Sequence, residues 1–116
     1  FGVKIGSFQA LQHRAVDMYA ESELLRSISM ASMLRADEED ASARRADLSA
    51  AKHQLATGGI WVAQPALQLH GGIGVTDEHD IGLYFKRMYA RNALFGDAAR
   101  LVARSASAPA FRETGA

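Results

Sequence analysis

The run FQALQHRAVDMYAESELLRSI, residues 8–28, carries the reading of the fold. Phe8, Leu11, Ala15, Met18, Ser22, Leu25 and Ile28 recur along it at spacings of three and four. That is the period of one face of an α-helix, and no alternation of the kind a strand needs competes with it. Working outward, residues 1–6 hold two glycines and read as an opening loop, with Ser7 as the expected N-cap. The stripe predicts a helix of about eight turns, ending near Asp37. The run Asp37-Glu38-Glu39-Asp40 breaks the stripe and supplies negative charge suited to the positive N-terminal end of a following helix.

A second stripe, Leu48, Ala51, Leu55, Gly58, Val62, Ala66 and Leu69, predicts another long helix from about Asp40 to His70. Gly58-Gly59 and Pro65 lie within it, so a kink or local unwinding is expected over residues 61–65, and a shorter reading ends the helix at Gly58. Gly71-Gly72-Ile73-Gly74 is a stop. His79 or Asp80 then opens a third helix, and Gly96 separates it from a fourth carrying Ala98, Leu101, Val102 and Ser105. Pro109 ends the regular structure. The expected architecture is all-α: an antiparallel four-helix up-and-down bundle of two long and two shorter helices. It occupies residues 1–108, with 109–116 as a frayed tail.

The 116 residues suit one domain, and 13 Lys+Arg against 13 Asp+Glu leave no basic excess for nucleic acid. No apolar run is long enough to span a bilayer. With no Cys, thiolate metal sites, disulfides and Cys nucleophiles are excluded within the chain. The chain opens on Phe1 rather than Met, and further sequence upstream is expected.

Little chemistry is legible residue by residue. A di-iron bundle needs Glu-x-x-His on two helices. Ala10, Ala50, Leu67 and Thr76 stand three before His13, His53, His70 and His79, so no metal is expected. Gly72-Ile73-Gly74 is no dinucleotide fingerprint, because Asp77 stands at the third glycine position and a helix precedes the run. The same glycines fit an ordinary helix terminator, or a backbone bared for close approach by a phosphate or ribose. Gln64 with Gln68, and Gln9 with His13, each share a helix face. Met18, Met30, Met33 and Met88 suit core packing. Arg44, Arg45, Lys52, Lys86, Arg87, Arg91, Arg100 and Arg104 have acids nearby in sequence and read as solvated faces.

One resemblance adds to this. Gln68-Leu69-His70-Gly71-Gly72-Ile73-Gly74, then Asp77-Glu78-His79-Asp80-Ile81 and Leu83-Tyr84-Phe85-Lys86-Arg87, resembles the C-terminal helical domain of the acyl-CoA dehydrogenase family. The opening Phe1-Gly2, Ile5-Gly6-Ser7-Phe8-Gln9-Ala10-Leu11-Gln12-His13 is similar to that family's start of the same domain. The likeness runs over about residues 1–105. It implies a larger enzyme that uses FAD to oxidise the α,β bond of an acyl-CoA thioester, a carboxylate removing the α-proton while hydride leaves the β-carbon. It also implies electron transfer to an electron-transferring flavoprotein, a homotetramer or heterotetramer with this bundle in its core, and a bacterial cytoplasm or mitochondrial matrix. By position, Phe1, Phe8 and Gln9 resemble contacts to the flavin's adenosine-diphosphate part. Gln68, Gly71 and Gly72 resemble a second cluster reached from a neighbouring subunit. Gln64 and His13 gain no role.

The sequence departs from the family where many members carry the base as Glu in Tyr-Glu-Gly-Thr. Here the stretch is Phe95-Gly96-Asp97-Ala98, with Gly96 at the Glu position and Ala98 at the Thr. No catalytic residue is therefore assigned within the chain. The base sits on a helix before Phe1, or the chain is the base-less partner of a heteromeric enzyme, or Asp97 acts from a shifted register. Relatives acting on other substrates, such as flavin monooxygenases and nitroalkane oxidases, are the neighbouring enzyme reading. A non-catalytic assembly module is the reading from another class.

Overall fold

The structure is a computed structural model, and it describes residues 1–107. The expected chain end at Pro109 and the tail at 109–116 lie outside the described residues. A 3-10 turn at Ile5–Ser7 leads into α1, Gln9–Arg35, followed by α2, Ala41–Leu69. A second 3-10 turn, Gly71–Val75, precedes α3, Ile81–Ala93, and α4, Ala98–Ala106. The described residues contain four helices, two long and two shorter, and no strand.

The helix ends follow local chemistry. Ser7 is not the cap of α1: its hydroxyl donates to the Lys4 carbonyl inside the first turn, and Phe8 takes the cap position without a side-chain bond. Asp40 caps α2, accepting from the Ser42 N–H at 2.8 Å. The acidic run therefore acts as expected at the positive end of a helix. α2 continues through Gly58-Gly59 and Pro65, so the shorter reading that stops at Gly58 is overturned. Pro65 leaves the Trp61 carbonyl without its helical donor, but packing on both flanks holds the helix together.

Every other helix packs chiefly on α2. α1 runs antiparallel to it, with Arg14 meeting Gln68 at one end and Arg35 meeting Asp47 at the other. α3 is also antiparallel: the Met88 side chain reaches Gly59, and the Lys52 ammonium donates to the Arg91 carbonyl. α4 continues in the same direction, with the Ser105 hydroxyl donating to the Ala46 carbonyl at 3.1 Å. The expected all-α bundle of two long and two shorter helices is thus present, with α4 packed on the N-terminal half of α2. α3 has 13 residues against 29 in α2 and covers only its C-terminal half, so α4 extends the same rod along the rest. The step between them is made at Phe95 and Gly96, with φ of 65° and 115°.

The core is small. Among the described residues Ala56 and Leu101, 6% and 2% exposed, are the buried hydrophobic ones, alongside Ser49, Gly58, Gly59 and Gly74. The half-buried positions of α1 include Leu11, Met18, Leu25 and Ile28, as the stripe predicts. Arg14 and Glu21 replace Ala15 and Ser22 in it, because their polar tips reach α2. Met30 and Met33, expected in the core, are exposed, as are Val16, Tyr19, Leu24 and Leu34. The large hydrophobic side chains left exposed along α1 suit a domain packed against other protein.

Close approach in place of side-chain volume makes α2 sensitive to added atoms. A Cβ at Gly58 would fall 2.7 Å from Leu25 Cδ2 and against the Glu21 carboxylate. Gly58→Val is expected to cost about 1–3 kcal/mol by overpacking, read as a lowered midpoint in urea denaturation.

Candidate functional site

The start of α1 and the end of α2 lie side by side, which brings the sequence-predicted residues to one end of the molecule. Phe1 and Phe8 pack edge to face, their ring centroids 5.9 Å apart at 78°. Phe1 is otherwise fully exposed, at 104%. Gln9 is the first residue of α1, and its side chain is exposed. Gln68, in the last turn of α2, accepts from the Arg14 guanidinium at 2.8 Å through Oε1. That bond fixes the amide's orientation and leaves its N–H donors facing solvent. Arg14 was not legible as part of this group, because the sequence gives no sign that residue 14 meets residue 68. Gln64 turns away and donates to the Tyr89 hydroxyl of α3 at 3.1 Å, in keeping with a structural role.

The three glycines of the terminator do different work. Gly71 has φ of 65° directly after the His70 cap, the left-handed conformation that ends many helices. At Gly74 a Cβ would lie 2.7 Å from the Leu67 carbonyl oxygen, so this glycine lets the turn fold back under α2. Gly72 has neither constraint, and a Cβ there would meet nothing within 4 Å. Gly71 and Gly72 are both exposed, so their backbone faces open space.

Two histidines pin this turn. His70 donates from Nδ1 to the Ala66 carbonyl, 2.7 Å away, and His79 accepts at Nδ1 from the Ile81 N–H at 3.1 Å. Those partners assign opposite tautomers to rings whose centroids are 4.5 Å apart. His79 thereby satisfies the first N–H of α3, while Asp80, the other expected opener, takes the N-cap position without a side-chain bond. Among the described residues no cluster of His, Asp and Glu could hold a metal ion, and no helix is long and apolar enough to cross a membrane.

The Phe95-Gly96-Asp97 stretch lies elsewhere, at the step between α3 and α4. Asp97 is the N-cap of α4, its Oδ1 accepting from the Arg100 N–H at 2.9 Å. The basic residues are also rearranged relative to the sequence reading. Of the acids near Arg44 and Arg45 in sequence, Glu38 and Asp47 pair with Arg35.

Two glycines bared at the end of a long helix, an anchored glutamine and an exposed aromatic pair thus lie on one helical domain. Residues 1–107 match the C-terminal domain of acyl-CoA dehydrogenases, and the chain belongs to that family. It is 40% identical over 96 residues to the acyl-CoA dehydrogenase IpdE2 of Mycolicibacterium smegmatis, covering 83% of this chain and 29% of that protein. IpdE2 of Mycobacterium tuberculosis is 40% identical over 89 residues, 77% of this chain and 26% of its own length. The acyl-CoA dehydrogenase FadE34 of the same organism is 34% identical over 110 residues, 90% of this chain and 15% of that protein. The chain therefore spans less than a third of each of these relatives. No solved structure shows a significant match.

Gly74 separates the structural use of glycine from any other. Gly74→Ala is expected to destabilise the protein by about 1–3 kcal/mol, because a backbone carbonyl cannot swing aside as a side chain does. The measurement is the shift in thermal unfolding against the parent.

Proposed function

We propose that the chain is the C-terminal domain of an FAD-dependent enzyme that introduces a double bond between the α and β carbons of an acyl-CoA thioester. Family membership supports the reaction class, and Gly72 supports the cofactor. Gly72 lacks a side chain where nothing in the fold forbids one, so its backbone is open to a group from outside the chain. A phosphate or ribose seated against the backbone N–H groups of residues 71 and 72 fits that opening. Phe1, Phe8, Gln9 and Gln68 supply what the rest of an adenosine-diphosphate group needs: aromatic faces and uncharged amides. Arg14 holds the Gln68 amide in one orientation, so less freedom is lost when it binds. What FAD supplies, when bound, is the acceptor for the hydride leaving the β-carbon.

The domain holds the cofactor and does not carry the base. Gly96 sits at φ of 115°, a conformation that side chains rarely adopt, so its backbone is shaped for glycine and not for a displaced Glu. The Asp97 carboxylate is committed to the α4 N-terminus, where its Oδ1 accepts from the Arg100 N–H. The base then lies on another part of the same subunit or on a second subunit. The electron acceptor in this reading is an electron-transferring flavoprotein. The exposed apolar surface supports assembly as a homotetramer or heterotetramer, and the mycobacterial relatives support a cytoplasmic setting. The same absence of a base supports a second reading, a non-catalytic subunit that completes a partner's flavin site.

Two substitutions test these assignments. Gly72→Val, in the full-length protein, is expected to weaken FAD retention by at least about tenfold while leaving thermal unfolding of the apoprotein unchanged. Unaltered flavin content would remove the cofactor role from this turn. Asp97→Asn preserves the cap and is expected to leave turnover of acyl-CoA with an artificial electron acceptor unchanged. A loss of about 100-fold or more would make Asp97 the base after all.

A further inference from the structure

The segment from Gly71 to Glu78 is closed at its base by two imidazoles. His70 ends α2, His79 stands just before α3, and their ring centroids are 4.5 Å apart. The two rings are held differently. His70 donates from Nδ1 to the Ala66 carbonyl at 2.7 Å, and a ring that gains a proton at Nε2 keeps that bond. His79 accepts at Nδ1 from the Ile81 N–H at 3.1 Å, which only a neutral ring can do. A proton at Nδ1 turns that acceptor into a second donor. N–H then meets N–H, and the ring must swing off Ile81. Asp80, at the N-cap of α3, makes no side-chain bond that would replace the one lost. The same proton sets a charge beside a second imidazole, and two charged rings at this range repel.

The other charged groups around His79 do not restore the acceptor. Asp77, Asp80 and Lys86 line the same cavity of about 310 Å³ as His79, and Glu78 precedes it in the chain. α2 presents His70 alone, since residues 61–69 hold no charged side chain. α1 reaches this end through Arg14, whose guanidinium is on Gln68. Neither ion pair among the described residues includes an imidazole. Asp77 and Asp80 can offset part of a charge on the ring, but in this arrangement neither accepts from the Ile81 N–H.

We propose that His70 and His79 form a pH-sensitive latch on the glycine turn. His70 is the fixed half, bonded to α2 in either protonation state. His79 is the moving half, closed when neutral and released by one proton. The closed form holds one proton fewer than the open one, so opening is favoured as pH falls and closure as it rises. Imidazole is the side chain that makes such a change at physiological pH. The consequence for the cofactor rests on the flavin reading above: residues 71 and 72 lie inside the latched segment, so acid opening releases FAD.

The test is hydrogen–deuterium exchange, read by mass spectrometry on the full-length holoprotein and corrected for the intrinsic exchange rate at each pH. Protection over residues 71–82 is expected to fall at least about tenfold between about pH 8 and about pH 5, with the middle of α1 unchanged. His79→Asn supplies a side-chain oxygen that accepts without titrating, and should keep the segment protected across the range. His79→Lys carries a charge and no acceptor, and should leave it open at both ends. Protection independent of pH in the parent, or a pH dependence that survives His79→Asn, overturns the latch. Flavin absorbance after gel filtration separates the two readings. FAD lost in acid from the parent but not from His79→Asn supports both. Acid opening with FAD retained supports the latch and removes the cofactor role from the turn.

Discussion

Helix α2 is touched by every other helix of the chain, and at Gly58 and Gly59 it has no side chain to hold them off. The Leu25 and Glu21 side chains of α1 come in over Gly58, and Met88 of α3 comes in over Gly59. Contact at that range brings many atoms of three helices within dispersion distance, which substitutes for the large buried side chains the chain lacks. It also sets how far α3 extends along α2. α3 ends beside Lys52, and the remaining half of α2 is left for α4 to cover. The step at Phe95 and Gly96 follows from that division.

Much of this was legible because helices announce themselves by period. Two stripes, two acidic or glycine breaks and a terminal glycine run gave four helices with boundaries within a residue or two of those observed. Direction along α2 was not legible. Nothing in residues 94–97 says whether the chain reverses or steps forward, since glycine permits both and the choice depends on which surface of α2 is still uncovered. The same kind of blindness explains Arg14 and Glu21. Both read as polar residues beside the stripe, yet each has a partner 37 or more residues away that draws it inward. Charge fared worst. Sequence proximity puts Asp47 beside Arg44 and Arg45, but helix geometry turns it toward α1 and leaves the arginines facing α4.

Glycine was the most ambiguous letter in the sequence and the most informative one in the structure. Gly71, Gly72 and Gly74 stand within four positions, and any of them could be a helix terminator. A left-handed φ accounts for the first, and a carbonyl 2.7 Å from the missing Cβ accounts for the third. Only the second is left without an intramolecular cause. Function is most cleanly read from residues that the fold does not need, because a structural explanation is then unavailable to compete.

The same reasoning bears on the surface. Exposed Val16, Tyr19, Leu24, Met30, Met33 and Leu34 all belong to α1, the helix that has α2 on one side and, apart from that contact and its leading turn, little else against it. Isolated exposed hydrophobic residues need no explanation, but six on one helix beside so small a core do. Burying them contributes about 25 cal/mol per Å², a term the chain cannot collect within itself because its other helices are already committed to α2. A domain built this way gains its remaining stability when α1 is covered. On the proposed reading, Phe8 and Gln9 at the foot of the same helix lie beside that covered surface, which would couple assembly to flavin binding through one element rather than through a relay.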